Sequence, residues 1–140
     1  MFKKIFFLSL ILLAYGCSQS IDAEKLQNLN GYWEISEVVF ANGENKTYSV
    51  NTLVDFIVIK DMKGTRTKVA PDLSGNFRTN GDTEVFEIIP KDDTFLLSYK
   101  KEQNQWEEEL KTLETNSFSV KNEDGKIYVY QRFEPINVNP

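Results

Sequence analysis

The chain has no histidine and a single cysteine, Cys17. The first absence removes the commonest general base and the commonest metal ligand. The second excludes an internal disulfide, and together they leave no ligand set for a Cys/His zinc site. Positive charge is also short: 16 Lys and Arg stand against 21 Asp and Glu, a formal net charge of −5. Such a balance disfavours nucleic acid, which is bound largely by neutralising phosphates. Glycine (seven) and proline (four) are sparse, and there is no low-complexity run. No G-x-S-x-G, P-loop or EF-hand spacing occurs. Glu107, Glu108 and Glu109 are adjacent, but neighbours on a strand point to opposite faces and cannot converge on one ion. These absences lead us to expect no metal, no cofactor and no enzymatic activity.

Long apolar runs are equally scarce. The one at the N-terminus spans Ile5 to Leu13, broken only by Ser9, and follows Lys3 and Lys4. It is too short for a permanent bilayer span, which takes about 20 apolar residues. A basic start, an apolar middle and a small residue before a cleavage point are the layout of an export signal. The competing reading, an N-terminal core helix, would call for a polar face, which this run lacks.

Leu13-Ala14-Tyr15-Gly16-Cys17 resembles the lipobox of bacterial lipoproteins, with Gly16 as the small residue before the modified cysteine. Ala14 and Tyr15 stand where that motif more often has an aliphatic and a small residue. The resemblance implies cleavage after residue 16, acylation of Cys17 and a membrane partner reached through lipid. Two or three chains, at about 0.8 kcal/mol per buried CH₂, make a stable anchor. Ser18, rather than Asp, follows the cysteine, which by the same resemblance implies an outer-membrane location in the cell envelope. Loss of Lys3 and Lys4 with the signal takes the formal charge from −5 to −7.

The remainder is one domain's worth of chain. Residues 17–30 read as the lipidated cysteine and a polar tether with one or two helical turns, Ser20 as N-cap, and Leu26 and Leu29 on one face. From Gly31 the period changes to two: Trp33, Ile35, Glu37 and Val39 alternate with Tyr32, Glu34, Ser36 and Val38. Residues 53–59 are nearly continuous apolar and suit a strand covered on both faces. Further strands are expected over 83–89, 94–100, 105–113, 117–121 and 126–133. Turn signals punctuate them at Lys63-Gly64, Asn80-Gly81, Lys91-Asp92-Asp93 and Glu123-Asp124-Gly125. Short strands at intervals of about 8–12 residues, joined by tight turns, predict an all-β, up-and-down antiparallel barrel of about eight strands over 31–134. Residues 135–140 form a tail.

Gly31-Tyr32-Trp33 opens the first strand and Arg132 lies near the end of the last. Here the sequence resembles the lipocalins. In that family G-x-W starts the barrel and an arginine from the last strand packs over the tryptophan at the closed end. The resemblance implies a cation–π contact between Arg132 and Trp33, worth roughly 0.5–2 kcal/mol; Trp33 as a plain core aromatic is the other reading. It also implies an interior that holds a small apolar ligand.

On a closed barrel the inner wall is expected to include Phe86, Ile88, Phe95, Leu97, Tyr99, Trp106 and Leu110, the candidate ligand-binding set. A small barrel either fills with such side chains or encloses one ligand. Tyr99, Tyr128 and Tyr130 read first as interfacial tyrosines at the ends and surface of the barrel, and otherwise could supply polar handles within it. Glu108 interrupts the inner face of its strand and needs a partner. Lys60, Lys63, Arg66 and Lys68 crowd one hairpin; they could meet anionic headgroups or an acidic partner, but read first as a solvated, charge-protected edge. Two functions therefore stay open, ahead of a third, a hydrolase, which would need a carboxylate pair within catalytic distance in a cleft. One is a lipid-anchored barrel that binds a small apolar ligand; the other is a filled scaffold whose loops, such as 41–46 and 71–76, bind another envelope protein or polymer.

Overall fold

The computed structural model describes residues 20–135. The signal segment, Cys17 and the last five residues, 136–140, lie outside that range. Ten strands follow a 3-10 helix (Ala23–Leu29): β1 Gly31–Val39, β2 Asn45–Thr47, β3 Val54–Lys60, β4 Lys63–Pro71, β5 Phe77–Arg78, β6 Thr83–Lys91, β7 Thr94–Lys101, β8 Asn104–Leu113, β9 Ser117–Lys121 and β10 Ile127–Arg132. Eight of them pair in the order β1-β3-β4-β6-β7-β8-β9-β10, and β10 returns to pair with β1. Every pairing is antiparallel. The result is the expected all-β, closed, up-and-down barrel. Closure leaves no unpaired edge along the ring. The two short strands β2 and β5 lie off it, on β1 and β4 respectively.

Two-residue turns join three of the hairpins. Lys60 faces Lys63, Lys91 faces Thr94 and Lys101 faces Asn104 across them. The left-handed positions in these turns are filled by Asp61, Met62, Asp92 and Glu102 rather than by glycine. The turn expected at Lys63-Gly64 therefore falls two residues earlier. Gly64 lies inside β4 for a different reason: a Cβ there would come 2.2 Å from Phe86 Cζ. The absent side chain is what lets the Phe86 ring lie over β4. Asn80-Gly81 does not close a two-residue hairpin either. It links β5 to β6, which both pair with β4 and not with each other.

The core is a single cluster on the inner side of the ring. Trp33, Tyr99, Phe86 and Phe118 are its largest fully buried members. Packing is aromatic-rich: Trp33 meets Phe118 edge-on at 4.7 Å, and Phe118 stacks on Tyr130 at 4.7 Å. Strand β1 does not keep one face throughout. Its register with β10 shifts between Ile35 and Glu37, so Trp33 is fully buried and Val38, not Val39, is the next buried residue. An extra residue at such a bulge reverses the alternation downstream. Strand β3 also departs from expectation, because Val58 on its outer side is 44% exposed. Phe56, two residues earlier on the same face of β3, is half-buried under Tyr32, which stacks on it at 4.5 Å, and Phe77 of β5 stacks on Tyr32 at 4.1 Å.

The two ends of the barrel differ. At one end lie the start of β1 and the turns β3–β4, β6–β7 and β8–β9. The 3-10 helix plugs this end with Leu26 and Leu29, both buried. Its N-cap is Asp22, not Ser20, and no side chain caps it. Ile21 fastens the approach by donating its N–H to the Asp93 carbonyl at 2.9 Å. At the opposite end Ile35, Trp106 and Tyr128 pack against the core and are half-buried.

Candidate functional site

At the closed end the structure brings Gly31, Trp33 and Arg132 together. Trp33 is fully buried, and its Nε1–H donates to the Leu29 carbonyl at 2.8 Å. The Arg132 guanidinium lies over the indole, 4.2 Å from the ring centroid. It also donates to the carbonyls of Asn28, Asn30 and Thr115 at 2.7–3.0 Å. Those carbonyls belong to the end of the 3-10 helix and to the β8–β9 turn, so one cation ties three chain segments. Gly31 adopts φ +124°, and a Cβ there would meet an Arg132 nitrogen at 2.5 Å. The motif therefore closes the barrel.

Of the seven residues expected on the inner wall, Phe86, Ile88, Phe95, Leu97, Tyr99 and Leu110 are buried in the core cluster. Trp106 is half-buried toward the end opposite the 3-10 helix and stacks on Tyr99 at 5.3 Å with planes 1° apart. Registry explains this gathering, since Phe86 faces Tyr99, Ile88 faces Leu97 and Tyr99 faces Trp106 across adjacent strands. Directly opposed residues point to the same side of a sheet.

The most unusual feature inside the barrel is one that the sequence reading placed outside it. Arg66 is not on a solvated edge; it is 8% exposed and points inward from β4. Its Nη2 donates to Asp55 Oδ2 at 2.7 Å and to the Tyr130 hydroxyl at 2.6 Å, and its Nη1 donates to the Tyr99 hydroxyl at 3.2 Å. Glu108 approaches Nη1 at 3.8 Å, so Arg66 is the partner that the odd inward position of Glu108 required. Lys68, half-exposed, sets its Nζ 2.7 Å from Asp55 Oδ1. That contact is an ion pair without hydrogen-bond alignment, because Oδ1 makes no hydrogen bond. A buried charge survives only when paired and hydrogen-bonded in this way. Lys60 and Lys63, on the same hairpin, do remain exposed.

The electrostatics follow from the same contacts. Burial pushes the Asp55 carboxyl up, but Arg66 and then Lys68 outweigh it and hold the group below its ordinary value of 3.8. Glu108 goes the other way: its desolvation exceeds the help from Arg66, and its pKa is raised. Burial lifts the Tyr130 hydroxyl to about 12 and raises Tyr99 too. With Arg66 and the two acids, the tyrosine hydroxyls form a fixed set of donors and acceptors inside the barrel. Among the described residues, no group of His, Cys, Asp and Glu could hold a metal ion. The signal for this cluster was slight. Strand β4 carries no apolar alternation, and only Glu108, an acid out of place, hinted at a buried cation.

No protein-family model matches the sequence, and no curated protein is similar to it in sequence. Among solved structures, the chain is similar to a lipocalin-like protein from Bacteroides uniformis, with a TM-score of 0.48 and 12% identity over 76% of this chain and 99% of the other. It is similar to the same degree, TM-score 0.48 and 12% identity, to an uncharacterized protein from Bacteroides eggerthii, over 74% and 98% of the two chains. Apocrustacyanin C1 gives a TM-score of 0.47 and 8% identity over 83% of this chain and 67% of its own. The chain's own strand pairing, with Arg132 over Trp33 at its plugged end, defines a small up-and-down barrel of lipocalin-like form.

Proposed function

We propose that this protein is a non-enzymatic lipoprotein of the cell envelope, acylated at Cys17, whose barrel takes a small, mainly apolar ligand at its open end. The observation that carries the ligand reading is the half-buried apolar surface of Ile35, Trp106 and Tyr128 beside the buried Arg66 network. Apolar walls with a few fixed polar groups are the usual makeup of a small-molecule site. The anchor reading rests on the lipobox resemblance, and the outer-membrane location on Ser18. The acidic surface argues against nucleic acid as a partner.

A second reading is supported by the size of the buried side chains. Trp33, Tyr99, Phe86 and Phe118 take up much of a narrow ring, and a small barrel can be filled completely. On that reading the loops bind an envelope protein or polymer. The deciding experiment is native mass spectrometry of residues 18–140 beside a denatured sample. A reproducible extra mass, released on denaturation, is the expected result. A clean apo mass, with no uptake from an envelope lipid extract, would replace ligand binding with the filled scaffold.

A further inference from the structure

The chain enters the barrel at its plugged end, and this fixes a direction. Ile21 is buried there and is hydrogen-bonded to the Asp93 carbonyl in the β6–β7 turn. Only residues 18–20 separate it from Cys17. Fully extended, the four steps from Cys17 to Ile21 span at most roughly 14 Å. The opposite turns are much farther away. Strand β1 has nine residues, and at about 3.4 Å per residue with the tilt usual in barrels such a strand climbs roughly 20–25 Å.

We infer that the plugged end of the barrel rests against the bilayer and the open end faces away from it, a placement that rests on acylation of Cys17. The three-residue tether is too short to let the molecule turn over. The surface brought to the membrane suits that contact. Met62, 37% exposed, stands at the tip of the β3–β4 turn between the exposed Lys60 and Lys63. Lysine stems lie along apolar surface while their ammonium groups reach the headgroups. Charges at this end are mixed, with Asp61, Asp92 and Asp93 beside Lys60, Lys63 and Lys91, so tether length rather than charge sets the orientation. The half-buried Ile35, Trp106 and Tyr128 then open toward the aqueous phase or an apposed surface, not into the protein's own membrane.

The sequence makes the test direct, because the only cysteine is the acylated one. Single exposed positions at the plugged end (Lys60→Cys, Asp93→Cys) and at the open end (Gln103→Cys, Asp124→Cys) would each carry a thiol-linked fluorophore on the full-length, lipid-processed protein. The proteins would be reconstituted in vesicles with spin-labelled headgroups. Quenching at residues 60 and 93, and none at 103 and 124, is the expected result. Equal quenching at both ends, or stronger quenching at the open end, would overturn the orientation. Incorporation of labelled fatty acid is scored on the same samples. A protein that carries the acyl label but shows the wrong quenching defeats the orientation alone, whereas a protein without the label defeats the anchor on which it rests.

Discussion

Arg66 and Tyr130 are joined twice: Nη2 donates to the tyrosine hydroxyl at 2.6 Å, and the guanidinium carbon lies 4.9 Å from the ring centroid. They stand on β4 and β10, which are not neighbours in the ring. The cation thus bridges the lumen and, with Asp55 and Tyr99, braces four strands from within. Removing the guanidinium would strand the Asp55 charge. Breaking a buried pair from one side costs about 3–5 kcal/mol, so Arg66→Ala is expected to lose that much in urea unfolding. Because the penalty comes from the orphaned acid, adding Asp55→Asn should recover part of it. A loss below 1 kcal/mol would mean that the network carries no structural weight.

Gly64 is expected to tolerate no side chain while Phe86 is present. Gly64→Ala places a Cβ 2.2 Å from the ring, and overpacking of this kind costs about 1–3 kcal/mol. Shrinking the ring with Phe86→Leu makes room. The double variant should therefore be less destabilised than the sum of the two single ones, as read from a double-mutant cycle. Simple additivity would show that the contact does not set the spacing of β4 and β6.

The two acids that face Arg66, Asp55 and Glu108, predict opposite pH effects. Asp55 has its pKa lowered in the folded protein. Its contribution is full above the ordinary value of 3.8 and is lost as pH falls through the lower folded value. Glu108 has its pKa raised. The unfolded chain gives up that proton first, so this group costs stability once pH rises past the ordinary value of 4.5 and through the raised folded one. Glu108→Gln is accordingly expected to be at least as stable as the parent at pH 7, with the difference vanishing below pH 4.5. A Glu108→Gln protein that is weaker at pH 7 would show that the attraction to Arg66 outweighs desolvation.

The anchor makes a separate prediction. Cys17→Ala should incorporate no labelled fatty acid and should leave the membrane fraction, while residues 20–135 fold unchanged by circular dichroism. Retention of the label would place acylation at another residue.

Period-two alternation and tight turns placed seven of the eight ring strands in order, and missed β4 and the short strands β2 and β5. Directly opposed apolar pairs such as Ile88 and Leu97 were legible because each strand already showed an apolar face. Gly31, Trp33 and Arg132 were legible through the resemblance to the lipocalin pattern, in which G-x-W opens the first strand and an arginine stands near the end of the last; the alternation of the strands alone did not single them out. Strand β4 was not legible. Its alternation is Gly64, Arg66, Lys68 against Thr65, Thr67, Val69, and neither row is apolar.

What the sequence by itself determined is the all-β meander, the absence of histidine and disulfide chemistry, and the apolar rows that had to face inward. What only the tertiary structure decided is which polar groups went in with them. Charge burial depends on partners, and the partners of Arg66 come from β3, β7, β8 and β10, up to 64 residues away. Local spacing reports the face that a side chain shares with its neighbours two residues off. It carries no information on whether a carboxylate and two phenols will meet a cation across the lumen, and that meeting is what makes a buried arginine affordable.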